Sequence, residues 1–221
     1  MLISHKEQFC FIHNPKCAGT TIRNSLSKFC ENNYYWLFKD IDGVKVDKAH
    51  MRASFFQKNY LEDYNKVLNY FTFGIVRNPY DRAVSAYNEI HKSSWSDFRK
   101  GIIRKDEYMS DLNDFISKIS VNKISGNFPR FRHGVRQQDM FFNNGKCIAD
   151  LIIKLEELGD AQMLLKPFSN NLSKVAESWS EKKRNVKKSN IDYLQLLNDS
   201  SIKHINTIYE NDFCIFRYSK V

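Results

Sequence analysis

Proline and glycine are scarce in this chain, four and eight among 221 residues. No stretch is rich enough in either to serve as a linker, and no internal repeat or low-complexity tract appears, so one domain spanning 1–221 is the economical reading. The five cysteines (Cys10, Cys17, Cys30, Cys147 and Cys214) are scattered, odd in number and free of any CxxC spacing. That excludes a complete disulfide framework and zinc-type clustering, and makes free thiols in a reducing compartment the expectation. HExxH is also missing, and no ligand cluster asks for a metal. The N-terminal "MLISHKEQFCFIH" lacks a long apolar core and an A-x-A site, and no run approaches the roughly 18 apolar residues of a membrane span. The expectation is a soluble, cytoplasmic protein with no integral membrane segment.

What is present is a core and a charge. Hydrophobic residues make up 42% of the chain, with 17 Phe and 11 Tyr, which excludes a disordered or fibrous composition. The net charge is +9. Such a surplus favours anionic partners, whether nucleic acid, phosphorylated cofactors, acidic glycans or membrane, and equally suits a solvated basic surface.

Three apolar runs read as strands, each followed by a helical pattern: "QFCFIH" (8–13), "YFTFGIV" (70–76) and the start of "IADLIIKLEEL" (148–158). Ile22, Leu26 and Phe29 recur at helical spacing after the first, and Ala83, Ala86, Tyr87 and Ile90 share a face after the second. Strands alternating with helices predict an α/β fold, a central parallel β-sheet flanked by helices. The middle, 93–135, reads as basic helix and loop. The C-terminal third reads as helical in "IDYLQLL" and "SIKHINTIYENDF", with "EKKRNVKK" (181–188) as a basic loop.

Two of the three strands end in anion-type chemistry. The first runs into "NPKCAGTT". Gly19 permits close backbone approach, Thr20 and Thr21 open a helix whose free N–H groups attract an anion, and Lys16 can fold over it. The same features also describe a capped helix start beside a solvated lysine. The lysine precedes the glycine, so the G-x-x-x-x-G-K-[ST] phosphate loop is a poor match. The second strand ends in "VRNPYDRAVSAY". Arg77 sits where the strand stops, Pro79 suits the first helical turn, and Arg77 with Ser85 can face one oxyanion across the turn. The alternative is a helix start stabilised by Asp81 and Arg82, with Ser85 packed inward. Two anion loops in one chain suggest a nucleotide with two separated anionic ends.

"PKCAGTT" resembles the 5′-phosphosulfate loop, and "RNPYDRAVSAY" the 3′-phosphate motif, of sulfotransferases that use 3′-phosphoadenosine-5′-phosphosulfate. More narrowly, the sequence resembles the carbohydrate-type group that includes heparan and chondroitin sulfotransferases and many bacterial relatives. "LIIKLEEL" and "IYENDFCIFRY" resemble weaker later features. The resemblance implies a P-loop-like three-layer fold and sulfuryl transfer to a hydroxyl, without a metal. It implies that Lys16 contacts the bridging and sulfuryl oxygens. Cys17, Ala18, Gly19, Thr20 and Thr21 would wrap the 5′ end, and Arg77 and Ser85 would hold the 3′-phosphate.

The acceptor hydroxyl needs a base. His50, in "DKAHMRASFF", lies in a segment that resembles the one holding the catalytic histidine of heparan 2-O-sulfotransferases. His133, in "FRFRHGVRQQDMF", is the second candidate. Related enzymes carry His, Trp and Pro-Gln in this region; here Trp is absent, Gly134 follows, and Gln137 and Gln138 remain. Acceptor binding or loop structure is therefore the preferred role for His133, with Arg132 and Arg136 beside it. The remaining histidines, His5, His13, His91 and His204, read as structural; His13 could line the loop, with ending the strand the preferred reading. Arg99, Lys100, Arg104 and Lys105 form one basic cluster and Arg130, Arg132 and Arg136 another, suited to an anionic saccharide or to solvated helix faces. Lys187, Lys188 and Ser189 are candidates to reach the 3′-phosphate. The expected partner is a carbohydrate or other hydroxyl-bearing acceptor, not nucleic acid. Two other classes compete: a P-loop nucleotide kinase or hydrolase, which needs magnesium and a Walker lysine, and a basic nucleic-acid-binding module, which predicts steep salt dependence.

Overall fold

The computed structural model describes residues 1–33, 38–41, 44–125, 129–179 and 192–221. The basic stretch 181–188, with Lys187, Lys188 and Ser189, lies outside them. The chain forms two compact units. Residues 1–77 and 137–189 make the first, and 78–136 with 190–221 the second.

The first unit begins with β1 (Leu2–Ser4), β2 (Phe9–Ile12), α1 (Gly19–Leu26) and β3 (Asn32–Asn33). A hairpin of β4 (Phe38–Ile41) and β5 (Val44–Asp47) follows, then α2 (Ala53–Asn59), α3 (Leu61–Val67) and β6 (Phe71–Val76). The chain then enters the second unit through α4 (Pro79–Ile90), α5 (Lys92–Arg99), α6 (Lys105–Ser117) and α7 (Val121–Ser125). It returns to the first through α8 (Gln138–Phe141), the pair β7 (Phe142–Asn143) and β8 (Lys146–Cys147), β9 (Leu151–Lys154), α9 (Ala161–Leu165) and α10 (Asn170–Ala176). It ends in the second with two helices, Asp199–Ile208 and Glu210–Ile215.

The main sheet has the order β3-β1-β2-β6-β9. The three strands expected from the sequence are parallel neighbours, β2 on β6 and β6 on β9. The all-parallel expectation needs correction at one edge, where β1 pairs antiparallel with both β2 and β3. Strands of three and two residues are too short to display a period, which is why the sequence concealed them. All four residues of β2 are buried, the continuous apolar run of a strand covered on both faces. Phe9, Phe11, Phe73, Ile75 and Ile153 from the sheet pack with Ile22 and Leu26 of α1, and with Leu165, Leu172 and Trp179. The Trp179 indole N–H donates to Ser25 Oγ at 2.8 Å, satisfying a polar atom that burial would otherwise leave unpaired.

The predicted helix after β9 instead opens with a 3₁₀ stretch, Leu155–Asp160, where Glu157 is non-helical, and α9 follows it. The described residues of "IDYLQLL" form a 3₁₀ turn, Tyr193–Leu196, capped by Asp192, in place of the expected α-helix. The second unit has its own core, in which Tyr80, Ala83, Val84 and Tyr87 of α4 meet Tyr108, Leu112, Phe115, Ile205, Tyr209 and Phe213. Arg82, 1% exposed, donates to the carbonyls of His133 and Val135 at 3.3 and 2.5 Å, lies 3.9 Å from Asp212, and stacks over Tyr209. It therefore belongs to that core and not merely to a helix start. Among the described residues no helix is long and apolar enough to cross a membrane.

All five cysteines are free. Burial pushes the thiols of Cys10 and Cys30 up to about 12 and raises that of Cys147, while Cys214 is exposed. Thiolates are the reactive species. Iodoacetamide at about pH 8 should therefore label Cys214 first and Cys10 only on unfolding, read by peptide mass mapping. Early alkylation of Cys10 would contradict the burial of β2.

Candidate active site

The first loop leaves β2 and turns sharply into α1. Lys16 and Ala18 both take left-handed backbone conformations, with φ of +65° and +56°. A lysine and an alanine there cost about 1–2 kcal/mol each relative to ordinary helical backbone. Left-handed residues next to right-handed ones are the backbone from which anion-binding nests are built, and Ala18 is followed directly by the helical residues of α1. In α1 the Ala18 carbonyl accepts from the N–H groups of Thr21 and Ile22 at 3.0 and 3.2 Å. The N–H groups of Gly19 and Thr20 precede these first helical donors, as the orphan donors of a helix start do. Thr20 is exposed; Lys16 and Thr21 are half-buried.

The second loop leaves the same end of the neighbouring strand. β2 and β6 are parallel and in register from Phe9 opposite Phe71 to Ile12 opposite Gly74. Arg77 follows β6 at once, as expected, and its guanidinium donates to the Lys16 carbonyl at 3.4 Å. The first unit thus brings Lys16, Cys17, Ala18, Gly19, Thr20, Thr21 and Arg77 to one end of the sheet.

Two residues that sequence reasoning left unassigned tie these loops together. Asn14 is 1% exposed, and its Nδ2 lies 2.9 Å from the Ile75 carbonyl, 3.0 Å from Gln137 Oε1 and 3.2 Å from Cys17 Sγ. Gln137, fully buried, accepts from the Arg77 N–H at 2.9 Å and donates to the Arg77 carbonyl at 2.8 Å. The sequence signal for Gln137 was its match to the related Pro-Gln pattern; Asn14 had no signal beyond its place two residues before Lys16.

His50 ends a 3₁₀ turn, Lys48–His50, that Asp47 caps by accepting from the Ala49 N–H at 3.0 Å. Its Nδ1 lies 3.0 Å from the His13 carbonyl oxygen. A carbonyl can only accept, so Nδ1 carries the proton and the ring's lone pair is on Nε2. The two imidazoles meet edge to face, with centroids 4.5 Å apart. His13, expected to end the strand or to line the loop, is 5% exposed, stacks on Phe11, and occupies the space a side chain at position 19 would need. A Cβ on Gly19 would sit 1.8 Å from His13 Nε2. Gly19 is therefore required by packing within the chain as well as by any ligand.

In the second unit, Asn78 accepts from the Tyr80 N–H at 3.0 Å, Pro79 opens α4, and Ser85 is half-buried on that helix. His133 is 8% exposed, and the Arg132 Nε–H donates to its Nε2 at 3.2 Å. That bond occupies the lone pair a base would use. Arg136 is half-buried. Arg99, Lys100, Arg104 and Lys105 are exposed; Arg104 pairs with Asp106, and Arg99 lies over the Trp95 ring.

A sulfotransferase family model matches residues 1–219, and the chain belongs to that family. Its members are transferases of sulfuryl groups and generally use 3′-phosphoadenosine-5′-phosphosulfate as donor. No curated protein and no solved structure matches the chain.

The loop predicts a contrast in substitutions. Gly19→Ala must displace a buried imidazole and should cost about 1–3 kcal/mol by denaturant unfolding. Ala18→Gly relieves left-handed strain and should leave stability within about 1 kcal/mol, whereas Ala18→Val should lose more than Ala18→Gly. Equal stability of Gly19→Ala and the parent protein would mean that His13 is not packed against Gly19.

Proposed function

We propose that this protein transfers the sulfuryl group of 3′-phosphoadenosine-5′-phosphosulfate to a hydroxyl of a carbohydrate acceptor, by in-line displacement with His50 as base. One observation carries the reading: adjacent parallel strands end, on the same side, in loops whose sequences resemble the family's two anion motifs, and the first loop turns into its helix through left-handed residues. Anion recognition by N–H groups at a strand-to-helix turn is also what makes a P-loop-like description apt.

In this reading the donor's 5′ end lies against the Cys17–Thr21 turn, where backbone N–H groups and the two threonine hydroxyls donate to its oxygens. Lys16 stabilises negative charge gathering on the bridging oxygen as the sulfur–oxygen bond breaks. Arg77, with Ser85 by the motif resemblance, holds the 3′-phosphate through charge-assisted hydrogen bonds. The nucleotide is fixed at both ends, so the sulfur meets the acceptor along one line. His50 receives the acceptor's proton at Nε2, since the His13 carbonyl keeps the other nitrogen protonated. His133 has its Nε2 engaged by Arg132, which favours a place in acceptor binding, with Arg132 and Arg136 offering charge to an anionic sugar. The five free thiols support action in a reducing compartment, the cytoplasm.

The test is calorimetry with 3′-phosphoadenosine-5′-phosphate against ATP, without magnesium. Binding should need the 3′-phosphate and weaken by about tenfold or more in Arg77→Ala. A preference for ATP would overturn the donor assignment. His50→Ala should lower kcat by about 10²–10⁴ while sparing nucleotide affinity. Near-normal turnover in that variant would remove His50 as base.

A further inference from the structure

We propose that Gln137 is a positioning residue that sets the spacing between the two anion loops, so that the two charged ends of the nucleotide bind as one ligand. The proposal rests on the donor reading above. Its starting point is where the sheet stops. Pairing of β6 with β2 ends at Gly74, and with β9 at Val76. Arg77 is the next residue, beyond the last paired position of β6. The Gln137 side chain holds its backbone, taking both the N–H and the carbonyl of Arg77, much as one more strand residue would.

The same amide reaches the other loop. Gln137 Oε1 also accepts from Asn14 Nδ2 at 3.0 Å and lies 3.6 Å from Cys17 Sγ. The orientation of the amide is decided by its neighbours. Its oxygen faces the donors on Arg77 and Asn14, and its nitrogen faces a carbonyl; a flip would set oxygen against oxygen and N–H against N–H. One buried side chain thus bonds Asn14, two residues before Lys16, and both the N–H and the carbonyl of Arg77. The sheet brings the loops near each other, and this amide sets how far apart they stand. A nucleotide with a 5′ and a 3′ anion needs that distance, while one with a single anion does not.

A purely structural role would also leave buried groups unpaired when Gln137 is replaced, so stability alone cannot test the idea. The discriminating quantity is the ratio of affinities for 3′-phosphoadenosine-5′-phosphate and adenosine 5′-monophosphate, measured by calorimetry. Both nucleotides report on the same folded fraction, so a general loss of stability cancels. Gln137→Met preserves length and volume but removes the bonds. It should reduce the preference for the bisphosphate by about tenfold, with monophosphate affinity changed by about threefold or less. Asn14→Ala cuts the network from the other loop and should act in the same direction, and the double variant should fall short of the sum. If Gln137→Met does not fold, the Asn14→Ala ratio decides. An unchanged ratio with a lowered Tm would overturn the positioning role and leave the donor reading intact. A parent protein with no preference for the bisphosphate would overturn the donor reading, and this proposal with it.

Discussion

The parallel pairing of β2 with β6 is the constraint on which the candidate site depends. Parallel strands deliver their carboxyl ends to the same edge of a sheet, and ligands of open α/β folds bind beyond that edge. Here the pairing is secured by side chains that pack across it. Phe11 and Phe73 have ring centroids 5.3 Å apart, and Phe73 in turn stacks with Trp179. Gly74 completes the fit, since a Cβ there would lie 2.3 Å from the Phe141 ring. Phe141 belongs to α8, which follows Gln137 directly. The packing that seats α8 on the sheet therefore also delivers the amide that clamps Arg77, so the core and the site are one piece of construction.

The parts of this arrangement that were legible in the sequence are those with local signatures. Buried parallel strands announce themselves as short apolar runs, and helix starts announce themselves through Pro79 and the threonine pair. The edge strands were not legible, because two or three residues carry no period. Nor were the supports of the site. His13, Asn14 and Gln137 act through contacts across 37, 61 and 60 positions of sequence respectively, and no window of neighbouring residues contains such information. Gly19 was legible as a requirement but for an incomplete reason: the sequence suggested room for a ligand, and the structure fills that room with an imidazole. His133 could be doubted from its altered surroundings, but the bond from Arg132 to its Nε2 had no sequence signal.

The pair of histidines shows how the loop and the proposed base are linked. The His13 carbonyl fixes the His50 tautomer, and the His13 ring sits against Gly19 at the start of α1. Displacing one end of this chain of contacts disturbs the other. A base whose lone pair must meet an acceptor proton gains little from flexibility, since misplacement by an ångström is expensive in an oriented reaction. Backbone contacts suit that task better than another exposed side chain, because the His13 carbonyl, one residue past β2, is fixed with the main chain and has no rotamers to choose from.

The same reasoning accounts for a lysine placed before the glycine. Lys16 occupies left-handed backbone, a conformation that glycine adopts at little cost and lysine at about 1–2 kcal/mol. Stability alone would favour glycine or asparagine at that position. Retaining a long cation there is reasonable if its charge is needed at the mouth of the turn, because strained positions persist where the surroundings over-determine them and function uses them. The surroundings do so here. Cys17 is buried in the core on one side of Lys16, Asn14 is bonded to Ile75 and Gln137 on the other, and the Lys16 carbonyl accepts from Arg77. The main chain of the lysine is thus held by Arg77 of the second loop, and in the proposed function its side chain meets the donor's 5′ end. A loop built this way has no need of the glycine-lysine order of nucleotide kinases, since the cation is set by the turn itself and not by the first residues of the helix.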